Sequence, residues 1–240
     1  MNLEWHSAGE THTGKHRECN EDALLQRPEV GLWAVADGMG GHDAGEVASQ
    51  AIANELKSLG LSGTLSQCVD ALEDRLVEVN DWLRMHARTQ FKGGTVGSTV
   101  VTMLSRGRTG VALWAGDSRL YRLREGRLEQ ITRDHNPISD LLDVGAVSEA
   151  DAMSADTNII TRAVGGQPEL HLDLAVFEVF PNDTYLLCSD GLYREVTFGA
   201  LCEELSHGTV ADSVEALLAQ CLTGAARDNI TLIVARAEAS

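Results

Sequence analysis

The spacing of apolar residues changes along the chain and predicts blocks of strands and blocks of helices. Short apolar runs rich in Val, Ile and Leu predict buried strands. These runs lie at residues 3–9, 22–26, 31–36, 98–104, 110–115, 119–124, 127–132, 170–178, 183–189 and 229–237. Apolar residues three or four positions apart predict helices. These stretches lie from an N-cap at Asp43 to about residue 59, and at 65–88, 198–206 and 210–219.

The strands between residues 98 and 132 are separated only by short turns, which favours antiparallel pairing over crossover connections. Regular strand–helix alternation is absent, so Rossmann and TIM-barrel folds fit poorly. The pattern predicts an α+β fold in which two antiparallel sheets carry helices on their outer faces. We expect a single domain over residues 1–240, with a polar flap at about 136–166.

The composition of the chain favours some classes of partner and binding site and argues against others. The formal net charge of −17 argues against a nucleic-acid partner and favours binding of divalent cations. Five cysteines without C-x-x-C spacing indicate neither disulfides nor a zinc site. No apolar run reaches about 18 residues, and the first residues lack signal-peptide features. We therefore expect a cytoplasmic protein without a membrane segment.

Three aspartates stand where predicted strands begin or end. Asp37 and Asp190 each follow an apolar run and precede a glycine, and Asp228 lies just before the last run. Carboxylates gathered from distant parts of a chain repel one another unless a cation lies between them. Mg²⁺ or Mn²⁺, with their preference for oxygen ligands, are the expected cations. The glycine in each Asp-Gly pair would also let a backbone carbonyl, such as that of Gly38, approach the ion.

Other polar residues near these aspartates are candidate metal ligands or phosphate-binding residues, and some of them have an ordinary structural role as the alternative. Asp22 and Glu21 precede a predicted strand and would add carboxylates. Asp117 lies at a turn, where it is either a further ligand or an aspartate that caps backbone groups. Arg17 is either a bidentate phosphate clamp or an ordinary surface arginine. The chain has no complete P-loop, H-E-x-x-H or G-x-S-x-G motif.

Six short motifs, taken in order, resemble one family. They are R-x-x-N-E-D at 17–22, A-D-G-M-G-G-H at 36–42, G-D-S-R at 116–119, T-R-D-H-N at 132–136, S-D-G-L at 189–192 and R-D-N-I-T at 227–231. Together they resemble the PP2C (PPM) family of metal-dependent protein serine/threonine phosphatases, in its short bacterial form. The resemblance covers essentially the whole chain. It implies a four-layer αββα sandwich, in which helix pairs flank the two antiparallel sheets.

The resemblance also implies a metal centre with two Mn²⁺ or Mg²⁺ ions. Asp37 would bridge the ions, the Gly38 carbonyl would bind one of them, and Asp190 and Asp228 would bind the other. In bacterial members a third, weaker metal is associated with the position of Asp117 and is shared with Asp190.

Supporting roles follow from the same resemblance. Glu21 and Asp22 would hold metal-bound waters or bind metal directly, Arg17 would bind the substrate phosphate, and Asn229 would support the ligands. Many eukaryotic members carry histidine where this chain has Met39, and His42 follows three residues later. The proton donor to the leaving group is therefore either His42 or a metal-bound water.

The function implied is hydrolysis of phosphoserine or phosphothreonine by an activated water, reversing a eukaryote-like Ser/Thr kinase. Some short stand-alone members lie in type VI secretion clusters, so a component of such a system is a candidate partner, and we expect a monomer. Two alternatives are a two-metal phosphohydrolase acting on small phosphate esters and a phosphoprotein-binding protein without turnover. The second is disfavoured because every matched acidic position is occupied.

Overall fold

Two antiparallel sheets form the centre of the molecule in the computed structural model, which describes residues 3–40, 44–91, 94–143 and 159–239. The strands are β1 (Leu3–His12), β2 (Asp22–Arg27), β3 (Leu32–Met39), β4 (Gly97–Ser98), β5 (Val100–Arg106), β6 (Thr109–Ala115), β7 (Arg119–Arg124), β8 (Arg127–Gln130), β9 (Asp173–Glu178), β10 (Thr184–Cys188) and β11 (Ile230–Ala239). The helices are α1 (Ala44–Ser58), α2 (Leu65–Gln90), α3 (Pro137–Asp143), α4 (Asp190–Tyr193), α5 (Phe198–Ser206) and α6 (Val210–Thr223).

The strand order explains how distant segments meet. One sheet has the order β1-β11-β10-β7-β8, and the other has the order β2-β3-β5-β6-β9, with β4 paired to β3. Every pairing is antiparallel. The last strand, β11, lies between β1 and β10, so the two chain ends share one sheet.

Three apolar clusters define four layers. Trp33, Met103, Tyr185 and Ile233 belong to the cluster between the two sheets. A second cluster joins α1 and α2 to the outer face of the β2–β9 sheet, and a third joins α5 and α6 to the other sheet. Apolar burial at about 25 cal/mol per Å² favours such layering, and the apolar strand runs and amphipathic helix faces provide the surfaces that are buried. The predicted αββα sandwich is confirmed.

Capping residues set the start of the long helices. The Thr64 side chain accepts from the Gln67 backbone N–H at 3.3 Å, and the Gln67 side chain accepts from the Thr64 N–H at 2.9 Å. Thr209 and Asp212 form the same reciprocal pair at the start of α6. These capping boxes satisfy backbone donors that the first turn leaves open.

Several predicted boundaries differ from the observed ones. The strand predicted at 170–178 begins only at Asp173, because Leu170 and Leu172 pack against the α1–α2 cluster instead. The strand predicted at 98–104 is divided into β4 and β5, and Ser98 also bridges to Val164. The short helix α4 was not predicted. The Asp43 cap lies outside the described residues, as do positions 144–158 of the flap, so the flap stays a prediction.

Two expectations from composition can be compared with the structure. The five cysteines are reduced, and Cys188 and Cys221 are buried. Within the described ranges, no helix combines the length and the apolar character needed to cross a membrane.

Candidate active site

Strand pairing brings two of the candidate carboxylates side by side. Asp22 begins β2 and lies directly opposite Asp37 of β3 in the antiparallel register. Asp22 is almost fully buried, and its Oδ2 accepts from the Ser189 hydroxyl at 2.8 Å. Because Ser189 follows β10 of the other sheet, this hydrogen bond joins the two sheets at the edge where the carboxylates collect.

The Asp37-Gly38 segment is held by its backbone. The Asp37 N–H donates to Thr99 Oγ1 at 3.1 Å, and its carbonyl accepts from the Thr99 N–H at 2.9 Å. The Gly38 N–H donates to the Glu21 carbonyl at 3.0 Å. A Cβ at position 38 would collide with the carbonyl oxygens of Glu21 and Gly45. Glycine is therefore required where β3 passes so close to neighbouring backbone.

A second close approach places Asp190 near Asp228. Gly191 lies against the backbone of Asn229, and a Cβ at position 191 would collide with the Asn229 carbonyl oxygen. The Ser189 N–H donates to the Thr231 carbonyl at 3.0 Å. The Asp-Gly pair after β10 thus packs directly against the Asp-Asn pair that precedes β11.

Asn229 ties the long loop after β1 to this edge. Its side-chain Nδ2 donates to the carbonyls of Thr13 at 2.9 Å and Cys19 at 3.0 Å, and its Oδ1 accepts from the Glu21 N–H at 2.8 Å. Both N–H donors of this buried amide and its oxygen are therefore engaged in hydrogen bonds. These hydrogen bonds show how Asn229 can support the site: its side chain fixes the loop that carries Arg17 and Glu21.

Arg17 lies at the exposed rim of the site. Its Nη2 donates to Asp228 Oδ2 at 2.8 Å, and about half of its side chain is exposed. The ion pair raises the pKa of the Arg17 guanidinium. Arg17 thus projects toward the carboxylates instead of lying on a distant surface.

Asp117 lies at the turn between β6 and β7, and its side chain is buried. The Tyr193 hydroxyl donates to Asp117 Oδ2 at 3.4 Å, and Arg194 Nη2 lies 3.8 Å from the same oxygen. The Asp117 carboxylate therefore faces the other aspartates, which favours the ligand interpretation over a purely local turn role.

These side chains surround a cavity of about 340 Å³. Its lining includes the acidic residues Glu21, Asp37, Asp117, Asp190 and Asp228, together with Gly38, Asn229, Arg17 and Arg194. Asp22 does not belong to the lining, because it is buried beside Asp37. His42 lies outside the described residues. The structure thus assembles the acidic positions that the sequence singled out, and their roles as ligands stay predictions.

The crowding of carboxylates shifts their proton affinities. Burial, together with the charges of Asp22, Asp190, Asp117 and Asp228, raises the pKa of Asp37 well above its usual range. Burial raises the pKa of Asp22 to about 7 and that of Asp117 to about 6. Burial also raises the pKa of Asp190, against the nearby positive charge of Arg194. A site this acidic favours either protons or cations.

The donor set fits a hard divalent cation. One buried oxygen of Glu21, Oε1, has no hydrogen-bond partner, and the lining is rich in carboxylate oxygens. Among the described residues no group of three or more His, Cys, Asp or Glu side chains forms a ready-made metal cage. Gly38 also lines the cavity, and Mg²⁺ and Mn²⁺ commonly complete their coordination with backbone carbonyls and water.

Comparison with known proteins decides the family. The family model described as Protein phosphatase 2C matches residues 6–141, more than half of the chain. The chain belongs to the protein phosphatase 2C family. The resemblance seen in the six sequence motifs is thereby confirmed for this PP2C chain.

Two curated relatives are serine/threonine phosphatases. The "Serine/threonine protein phosphatase PstP" of Mycobacterium tuberculosis is 34% identical over 95% of this chain and 44% of its own length. The "Serine/threonine phosphatase stp" of Listeria monocytogenes is 32% identical over 95% of this chain and 94% of its own length. This PP2C chain thus spans less than half of PstP and nearly all of the Listeria protein.

Solved structures agree with this fold. PppA, described as a key regulatory component of T6SS in Pseudomonas aeruginosa, is 43% identical, with a TM-score of 0.90 over 98% of this chain and 100% of its own. The catalytic domain of PstP in complex with two manganese ions is 33% identical, with a TM-score of 0.86 over 99% of this chain and 100% of its own.

Sequence reasoning missed the residues that support the carboxylates. Ser189, Thr99 and Tyr193 each hydrogen-bond an acidic residue or its backbone, and Arg194 lines the cavity. Ser189 and Tyr193 are within three residues of Asp190, which was the one available signal. Thr99 gave no signal, because its contact depends on how β3 pairs with its neighbours.

Proposed function

We propose that this PP2C chain is a metal-dependent protein serine/threonine phosphatase that hydrolyses phosphoserine and phosphothreonine. One observation carries the proposal: carboxylates from the residue before β2, from β3, from the β6–β7 turn, from α4 and from the segment before β11 converge on one cavity that has an arginine at its rim. Acidic side chains in such number repel a phosphate unless cations offset their charge.

In this proposal Asp37 would bridge two divalent cations. The Gly38 carbonyl would contribute to one of them, and Asp190 and Asp228 to the other. Glu21 and Asp22 would hold waters of the centre or bind metal directly, and Asp117 would share a third, weaker ion with Asp190. When bound, the cations lower the pKa of water and neutralise charge on the phosphoryl oxygens.

In this proposal Arg17 orients the phosphoryl group that water attacks. The planar guanidinium of Arg17 matches two phosphoryl oxygens and offsets the charge that develops on them. Asn229 fixes the loop that carries Arg17. The attack is in line with the leaving oxygen, and no covalent phosphoenzyme is formed. Met39 lines the cavity and cannot donate a proton, so His42 or a water protonates the leaving group.

Relatives support the finer assignments. The PstP catalytic domain is described with two manganese ions, and we propose two Mn²⁺ or Mg²⁺ ions here. The substrates would be phosphoproteins made by a eukaryote-like Ser/Thr kinase. PppA is described as a regulatory component of T6SS, so we propose a component of such a secretion system as a partner of this chain. We also propose that the enzyme is cytoplasmic and monomeric.

Substrate comparison tests the proposal against a phosphohydrolase for small molecules. The purified chain with Mn²⁺ should release phosphate from a phosphothreonine peptide with a kcat/KM above that for a nucleoside monophosphate or a sugar phosphate. A clear preference for either small molecule would contradict a protein substrate. Tight binding of the phosphopeptide without phosphate release would instead support a binding protein.

Replacing Arg17 with alanine is expected to lower kcat/KM for the phosphopeptide by about 10- to 100-fold, because a charged donor to the phosphate is lost. Since Arg17 is exposed, the thermal unfolding midpoint should change little. Arg17→Lys is the matched control, which keeps the charge and loses the bidentate geometry. Steady-state kinetics at saturating Mn²⁺ provide the measurement, and unchanged kinetics in Arg17→Ala would remove the arginine from the site.

A further inference from the structure

One arginine lies between two carboxylates of the cavity. Arg194 directly follows α4, and its Nε lies 2.9 Å from Asp190 Oδ2. Its Nη2 lies 3.8 Å from Asp117 Oδ2. Asp190 follows β10, whereas Asp117 lies in the turn that connects the two sheets. The guanidinium therefore bridges two acidic groups that belong to different parts of the fold.

The same oxygen of Asp117 has a second polar contact, with a tyrosine whose ring packs against an arginine. The Tyr193 hydroxyl donates to Asp117 Oδ2, and the Arg119 guanidinium lies 3.5 Å from the centre of the Tyr193 ring. Arg119 in turn makes two hydrogen bonds to Asp134, at 2.9 and 2.6 Å. Asp117 is therefore in contact with both Tyr193 and Arg194, and about one-third of the Arg194 side chain is exposed to solvent.

The charges around Arg194 place it in competition with any cation at this pair. Asp117 and Asp190 repel each other, and Arg194 lowers the electrostatic cost for both. A divalent ion that took oxygens from both carboxylates would need the same lone pairs and would be repelled by the guanidinium. Either Arg194 or the ion can neutralise the Asp117–Asp190 pair. If both were present, the guanidinium and the ion would repel each other.

We propose that Arg194 is a built-in counter-cation for the Asp117–Asp190 pair, which a divalent cation must displace. The arginine then sets the Mn²⁺ concentration at which this pair is filled, and the other positions of the centre fill first. This inference rests on the metal centre of the proposed function. Arg194 is a positioning residue in this account, since it acts through the two carboxylates.

Calorimetric titration of Mn²⁺ into the EDTA-treated and dialysed full chain, without substrate, tests the inference. Arg194→Gln should tighten the weakest resolved Mn²⁺ site about two- to fivefold, the range expected when a partly exposed charge contact is removed. Arg194→Lys should stay near the wild-type affinity, because it restores the positive charge. Adding Asp117→Asn to Arg194→Gln should abolish the gain.

Arg75→Gln is the matched control for net charge. Arg75 pairs with Glu55 and Glu78 on the outer helices, so its removal makes the chain more acidic without touching the cavity. It should leave every Mn²⁺ affinity at the wild-type value. An unchanged or weaker site in Arg194→Gln, or equal tightening in Arg75→Gln, would overturn the inference while the phosphatase proposal stands. Absence of any Mn²⁺ binding to the wild type would overturn both.

Discussion

Replacing Asp37 with asparagine is expected to lower phosphatase activity by on the order of a thousandfold or more. Asp37 lies opposite Asp22 and lines the cavity between the two sheets. As the proposed bridge between two cations it has no substitute, since an amide oxygen is neutral and cannot offset two dications. Phosphate release from a phosphothreonine peptide at saturating Mn²⁺ measures the effect.

The same substitution should leave the chain folded. Burial and neighbouring carboxylates raise the pKa of Asp37, so removing its charge relieves repulsion when no metal is bound. The thermal midpoint of the metal-free Asp37→Asn variant should equal or exceed that of the wild type. Asp212→Asn is a suitable control, since Asp212 caps α6 and does not line the cavity. A loss of activity that came with unfolding, or activity within tenfold of the wild type, would contradict the bridging role.

In the metal-free chain, the free energy of unfolding is expected to increase as the pH falls. Burial raises the pKa of Asp22 to about 7 and that of Asp117 to about 6. Both groups therefore bind protons more tightly in the folded than in the unfolded chain, so folding takes up protons. The stabilising effect of protonation is complete below the unfolded pKa of about 4 and is lost as the pH rises through 6 and 7.

Thermal unfolding in EDTA at pH 7.5 and pH 5.5 measures this effect, which we expect to be on the order of 2 kcal/mol between these two values. Saturating Mn²⁺ should weaken or reverse the trend, because cations bind the ionised carboxylates. Asp22→Asn should flatten the profile in EDTA while the Ser189 hydroxyl keeps an acceptor. A metal-free chain that loses stability between pH 7.5 and 5.5 would show that the acidic cluster is not protonated in this range.

Much of the fold could be predicted because its buried strands are continuous apolar runs and its long helices are amphipathic. The runs that became β3, β10 and β11 are apolar at nearly every position, and all three are buried strands in the structure. Amphipathic spacing likewise predicted α2, whose buried residues all belong to one face. The divided strand β4–β5 was not predictable, because the break depends on a bridge between Ser98 and Val164.

The candidate site was predictable for a different reason. Asp37, Asp190 and Asp228 occur at strand ends, where the chain must turn and where two of them precede glycine. Contacts made between elements left no trace in the sequence. Neither the hydrogen bond from Ser189 to Asp22 nor the bridging position of Arg194 can be inferred without the strand order.

Phosphate release from a phosphothreonine peptide, measured with Mn²⁺ and with EDTA beside an Asp190→Asn variant, tests whether these carboxylates form a catalytic metal centre. We expect Mn²⁺-dependent release by the wild type, its loss in EDTA, its recovery on adding Mn²⁺ back, and its absence in Asp190→Asn. Release that persists in EDTA, or that Asp190→Asn retains in full, would contradict a metal centre built on these carboxylates.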